Sequence, residues 1–106
     1  MSRSGLAVTA FAVVLFLAVP GFAAQEKPMT DEQVEGLFAS VCGFCHEDGG
    51  RVAGKGPQLM GTKRSDAFII NRIKHGKEAR MPAFGDQFSD AQIKSILHYI
   101  RHLKPE

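Results

Sequence analysis

Residues 42–46 read Cys42-Gly43-Phe44-Cys45-His46. Two thiols three positions apart, with an imidazole beside the second, constrain a chain more than any pattern of apolar residues. The spacing Cys-x-x-Cys-His is that of covalent c-type haem attachment. Each thiol can add to a haem vinyl as a thioether, and His46 then lies under the iron as proximal ligand. On a turn of helix, residues three and four apart share a face. Two other chemistries use paired cysteines. A redox Cys-x-x-Cys pair usually sits in a βαβ context, and no strand pattern precedes Cys42. A zinc site would need Cys42, Cys45, a histidine and a fourth ligand. The remaining histidines are His75, His98 and His102, and there is no second cysteine pair.

The N-terminus is read as an export signal. Arg3 gives a positive start, Leu6 to Val19 is uncharged and mostly apolar, and Pro20-Gly21 breaks the run before small residues. The run has 14 residues, short of the roughly 20 that a membrane span needs. Cleavage after Ala23 leaves Gly21 and Ala23 as the small residues of the cleavage site. Cleavage after Ala24 would place the bulky Phe22 there. An uncleaved anchor is the alternative. The expected division is thus a signal peptide over residues 1–23 and one domain over 24–106. A domain of that size has a thin core and needs a staple. A disulfide closing a loop of two residues would constrain little, whereas a haem adds a large apolar body. Export also makes nucleic acid a poor target.

Helix signals are clear in three places. Thr30 with Gln33 fits a capping box, and Val34, Leu37, Phe38 and Val41 follow at helical spacing. This first helix is expected to run into the Cys-x-x-Cys-His turn. Ser65 and Asp66 open a second helix with Phe68, Ile69, Ile70 and Ile73 as its apolar stripe, and Gly76 ends it. Ser89 with Gln92 is a second capping box, followed by Ile93, Ile96, Leu97, Ile100 and Leu103, with Pro105 as the stop. Between them, Glu47 to Gly61 holds five glycines and one proline and is expected to be a loop without regular structure. Lys77 to Phe88 is a second loop. No sustained period-two alternation is present, so no sheet is expected.

Three methionines follow the signal, and a thioether in the sixth iron position would raise the potential and close the iron to small molecules. Met29 lies too near the terminus. Met60 follows His46 by 14 residues in the glycine-rich loop and is the weaker candidate. Met81 follows His46 by 35 residues, after a full helix, with Pro82 fixing the backbone beside it. Met81 is therefore the preferred ligand, and a flexible core filler is its alternative role.

The chain resembles the small class I c-type cytochromes, bacterial monohaem electron carriers. The resemblance covers the whole exported part. It rests on Cys42-Gly43-Phe44-Cys45-His46, Gly56-Pro57-Gln58-Leu59, Met81-Pro82 and Tyr99-Ile100. It implies an all-α fold of three main helices with loops wrapped around one covalently attached haem c. It implies that Met81 is the distal ligand and that the carbonyl of Pro57 accepts the His46 ring N–H, the kind of bond that orients such ligands. Leu59 would pack on the haem, and Phe38 would meet Tyr99 where the terminal helices cross. In that family a glycine often stands eight residues before the first cysteine. Here Val34 stands there and the glycine is Gly36, which predicts a shifted or more open crossing and a packing role for Gly36.

The functional expectation is a periplasmic one-electron carrier, not an enzyme and without a small-molecule substrate. It would work between an exported dehydrogenase or quinol-oxidising complex and a terminal acceptor, with no stable membrane insertion after cleavage. The alternatives are a haem protein with an open sixth position, acting as a sensor or peroxidase-like enzyme, and a cytochrome subunit permanently docked to one dehydrogenase. Charge is unevenly spread: residues 51–80 carry eight basic and two acidic side chains. Lys55, Lys63, Arg64, Lys74, Lys77 and Arg80 lie between the two ligand motifs and are expected to steer a redox partner with an acidic docking surface. Residues 49–55 match the start of a phosphate-binding loop, but Gly56 stands where Ser or Thr is needed and no strand precedes it. His98 and His102 are expected on a solvated helix face, and His75 at a helix C-terminus.

Overall fold

The computed structural model describes residues 4–5, 7–16 and 27–106. The proposed cleavage site at Ala23 or Ala24, and parts of the apolar run before it, lie outside the described residues. Residues 7–16 form neither helix nor strand, and Phe11 and Phe16 are more than nine-tenths exposed.

Three α-helices follow: α1 (Asp31–Ala39), α2 (Asp66–His75) and α3 (Asp90–Arg101). Each starts where a hydroxyl accepts from an otherwise orphaned backbone N–H. The amide of Gln33 donates to Thr30 Oγ1 and that of Gln92 to Ser89 Oγ, each at 3.2 Å. Both glutamines reach back to accept from the cap amide at 2.9 Å, completing two capping boxes. Ser65 accepts from the Phe68 amide at 3.1 Å. Gly76 ends α2 with φ +67°, a backbone angle that a side chain would resist.

The core is the seam where α3 meets α1 and α2. Val34 and Ile93 are fully buried, joined by Phe38, Ile69, Ile73, Phe84, Ile96, Tyr99 and Ile100. Along α3 the buried positions 93, 96, 99 and 100 trace one stripe at helical spacing. Phe38 and Tyr99 stack with ring centroids 4.9 Å apart and planes 27° off parallel, so the contact forms with Val34 buried beside it. Gly36 has no packing role: it is exposed, and a Cβ there would meet nothing within 4 Å.

Two other expectations are corrected. First, α1 stops at Ala39 and does not run into the motif. Cys42–Phe44 forms a separate 3₁₀ turn instead, and Val41 is half exposed. Second, the segment after His46 is not irregular, and the fold is not wholly free of strand. β1 (His46–Glu47) pairs antiparallel with β2 (Val52–Ala53) around a second 3₁₀ turn, Asp48–Gly50. Two residues per strand are too few to leave an alternating pattern in the sequence, so the ladder has no sequence signal.

Candidate functional site

A cavity of about 720 Å³ opens beside the first 3₁₀ turn. It brings together Cys42, Cys45, His46, Pro57, Leu59 and Met81, although the Cys42–His46 motif precedes Met81 by 35 to 39 positions. Its remaining lining is mostly aromatic and aliphatic, including Phe38, Ile73, Phe84 and Ile100. That size and apolar character suit a large cofactor.

The attachment side is built from turns packed against each other. Both cysteines are half-buried and unbridged. Burial pushes the Cys42 thiol above its ordinary pKa, opposed in part by a backbone hydrogen bond, so it is a neutral thiol at pH 7. The Cys45 amide donates to the Cys42 carbonyl at 3.2 Å and closes the turn. Gly43 lies so close to α1 that a Cβ there would fall on the Phe38 carbonyl oxygen. The next contact fixes the imidazole. His46 Nδ1 lies 2.8 Å from the Pro57 carbonyl oxygen, which makes Nδ1–H the donor and leaves Nε2 as the lone-pair nitrogen. The Gly56 amide donates to the Cys45 carbonyl at 2.8 Å, holding the Pro57 segment against the motif. A Cβ on Gly56 would lie 2.6 Å from His46 Cε1, so the close approach of backbone to ring requires glycine. Leu59 is anchored through its amide to the Gly50 carbonyl at 2.9 Å.

Met81 and Pro82 sit on a loop fastened to α2. Lys77 and Met81 exchange two backbone hydrogen bonds of 2.8 Å, enclosing a tight turn with Ala79 at φ +59°. Further on, the Phe84 amide donates to the Ile73 carbonyl at 2.9 Å and the Gly85 amide to that of Lys74 at 3.0 Å. These bonds use carbonyls that the end of α2 leaves unpaired. Met81 is half-buried in the cavity wall. Met29 and Met60 do not line that wall, and neither do His75, His98 or His102. His98 and His102 stack on each other, exposed, with centroids 4.0 Å apart.

The cavity lining includes Lys55, Arg64, Arg72, Lys77 and Arg80 and no acidic residue. Of the basic residues singled out in the sequence, Lys63 is exposed away from the cavity and Lys74 is bound to Asp90 at 2.6 Å. Two further residues at the cavity have no sequence signal for it, and a third stands elsewhere than expected. Arg72 precedes Ile73 on α2 and reads as an ordinary solvated position. Phe44, inside the motif, is 73% exposed with the Lys55 ammonium 4.6 Å from its ring centre. Phe68 was expected in the apolar stripe but stands at the cavity mouth.

The donor set fits a covalently held haem: two unbridged thiols, one imidazole with Nε2 left over, one thioether, and apolar walls. Comparison with known proteins gives the same answer. A family model described as "Cytochrome C oxidase, cbb3-type, subunit III" matches residues 24–100. A cytochrome c6 from Synechococcus sp. is 33% identical over 102 residues, covering 90% of this chain and 85% of that protein. The chain belongs to the small class I c-type cytochromes. A cytochrome c6 from Picosynechococcus sp. is 28% identical over 108 residues, covering 90% of this chain and 87% of its own length. A cbb3-type cytochrome c oxidase subunit FixP from Azorhizobium caulinodans is 29% identical over 96 residues. That match covers 81% of this cytochrome but 31% of the subunit, so this chain spans about a third of it. No solved structure matches. As a member of this family the cytochrome carries one covalently bound haem c with its iron and takes part in electron transfer with redox partner proteins.

Proposed function

We propose that this cytochrome is a periplasmic one-electron carrier whose iron is held by His46 and Met81, and that it is not an enzyme. The observation that carries the reading is the sorting of side chains. Among the described residues, His46 is the only histidine and Met81 the only methionine lining the cavity. Cys42 and Cys45 attach the haem, Pro57 orients His46 through its carbonyl, and Leu59 packs on the ring. The haem supplies the ferric–ferrous couple. The protein supplies two ligands that stay in place in both oxidation states, an apolar pocket, and an edge through which electrons pass.

Residues 1–23 are the export signal and 24–106 the working domain in this reading. Support comes from the charge and apolar layout of the N-terminus, from the start of the family match at residue 24, and from the exposure of Phe11 and Phe16. Among the described residues, no helix is long and apolar enough to cross a membrane. The donor is an exported dehydrogenase or quinol-oxidising complex, and the acceptor a terminal oxidase or reductase. The basic, acid-free cavity rim suits a partner with an acidic docking surface, met in a brief and salt-sensitive encounter.

The deciding experiment is expression with haem-attachment machinery, followed by a redox-titrated optical spectrum. A methionine-to-iron band in the oxidised form and indifference of the reduced form to carbon monoxide are expected. Met81→Ala should lower the potential and open the iron to carbon monoxide. Rapid carbon monoxide binding by the unaltered protein would instead favour a sensor or peroxidase-like enzyme. The likeness to cbb3-type oxidase subunits favours a second reading, a cytochrome that stays docked to one complex. Co-purification with such a complex at moderate salt would select it over a free shuttle.

A further inference from the structure

The last turn of α3 carries two histidines that the cavity leaves unused. His98 and His102 stand one helical turn apart and are both exposed, so their side chains share a face. Their rings stack with centroids 4.0 Å apart and planes 19° off parallel. His102 Nδ1 lies 2.7 Å from the His98 carbonyl oxygen. A carbonyl only accepts, so Nδ1–H is the donor and the lone pair of His102 stays on Nε2. Among the described residues, the His98 ring takes part in no hydrogen bond and neither histidine in a salt bridge. The place also favours a cation. The last carbonyls of α3, which ends at Arg101, concentrate the negative end of the helix dipole. Arg101 itself is turned away, with its guanidinium on Asp66 at 2.8 Å. The shallow cleft beside His98 is lined by Asp31 and Lys94, two charges that offset each other.

We propose that His98 and His102 form a binding site for one divalent transition-metal ion, separate from the haem iron. Imidazole nitrogens suit copper, nickel and zinc, and the general order of divalent affinities puts Cu²⁺ first. Hard cations such as Mg²⁺ and Ca²⁺ take oxygen ligands and do not fit. Metal–imidazole bonds of about 2.0–2.1 Å let one ion span nitrogens up to roughly 4 Å apart. Rings stacked at 4.0 Å come within that reach after a small turn about their side-chain bonds. The bond from His102 Nδ1 to the backbone fixes the tautomer that ligation through Nε2 needs, the usual role of such a partner on a metal-bound histidine. Water completes the coordination, since the described residues contain no cluster of three or more His, Cys, Asp or Glu placed to hold a metal. The site does not depend on which side chains ligate the iron.

The test titrates Cu²⁺ alone into the oxidised, haem-loaded protein by calorimetry at about pH 7, where most unperturbed imidazoles are neutral. Ferric iron has no electron to pass to copper at this step, so binding is read without a redox change. The wild type should bind one Cu²⁺ per chain, bind Ni²⁺ and Zn²⁺ more weakly and Mg²⁺ not at all, and keep its haem spectrum throughout. His75→Gln, which removes an exposed histidine at the end of α2, should bind as the wild type does. His98→Gln should weaken Cu²⁺ binding by about tenfold or more, because a second ligand on the same turn acts at high effective concentration. The double variant H98Q/H102Q should lose the site. If that variant loads no haem, His98→Gln decides, since its ring makes no bond that the fold would miss. Wild-type affinity in His98→Gln or in the double variant overturns the inference. So does a wild type that binds no Cu²⁺, or that binds one ion per two chains. A haem spectrum that changes as Cu²⁺ is added also overturns it, since the ion would then sit at an iron ligand.

Discussion

The walls of the cavity that carry His46 and Met81 are built differently. The His46 wall is made of short turns stacked on each other, and its precision comes from missing side chains. Gly43 and Gly56 bring backbone against the Phe38 carbonyl and the His46 ring. The Met81 wall is one loop tied by backbone hydrogen bonds to the end of α2, with a residue in an unfavourable backbone region, Ala79. The two walls also share features: a Cβ on Gly76 would clash with the Met81 carbonyl oxygen, and Asp48, just after His46, takes a positive φ as Ala79 does. Under the proposed His46 and Met81 ligation, the motif side must present three groups at fixed spacing and the other side only one thioether.

Substitutions can break this contrast, beginning with the most damaging. Gly43→Ala puts a methyl onto a backbone oxygen that cannot move without α1. We expect a loss of about 3 kcal/mol or more, the severe end of overpacking, read as collapse of the holoprotein yield and of the denaturation midpoint. Gly56→Ala should lose roughly 1–3 kcal/mol and tilt the His46 ring away from Pro57, so its spectrum should change as well as its stability. An unaltered spectrum in a stably folded Gly56→Ala protein would mean that the His46 wall has room for a methyl group.

Tyr99→Phe tests the support behind the attachment wall. Tyr99 Oη donates to the Gly49 carbonyl at 3.0 Å, and the substitution should lose about 1 kcal/mol. Burial raises the Tyr99 pKa above its ordinary value near 10. The neutral phenol is therefore favoured in the fold. Its contribution is complete below the unfolded pKa and is lost as pH rises through the folded one. Denaturation between about pH 9 and 12 should show a steeper fall for the wild type than for Tyr99→Phe. On the other wall the sign reverses. Ala79→Gly removes a left-handed alanine, worth about 1–2 kcal/mol, and adds the chain entropy of glycine, about 0.5–1 kcal/mol. A net gain of about 0–1.5 kcal/mol is expected, with the haem spectrum unchanged. A loss of stability there would mean that the Met81 loop stores no strain at Ala79.

The features legible in the sequence are those set by neighbours along the chain. Thr30 with Gln33, Ser65, Ser89 with Gln92 and Gly76 mark helix ends through bonds spanning a few residues, and the structure places them as read. His46 and Pro57 also face each other as expected, being only 11 positions apart. What escaped depends on distant partners. Nothing near Ala39 tells α1 to stop before the motif; the turn at Gly43 is dictated by space beneath Phe38. Gly36 looked like a packing glycine until the third helix was found to leave it bare. Arg72 is unremarkable along α2 and becomes notable only where Arg64, Phe68 and the cavity converge. Phe68 itself fits the apolar period of α2, yet the cavity mouth claims it.

The bond from Tyr99 to Gly49 crosses 50 positions of chain. Closing a loop of that length costs roughly 3–4 kcal/mol in the logarithmic term alone. One hydrogen bond contributes about 1 kcal/mol, and the Phe38–Tyr99 stack about 0.5–1.5 kcal/mol beyond its area. Neither contact can hold the loop shut without the rest of the α1–α3 seam. The turn carrying Cys42 leans on Phe38, and Phe38 leans on Tyr99. The attachment turn and the far helix therefore melt together as one cooperative unit, and a fragment ending before α3 would keep the five-residue motif but not its shape.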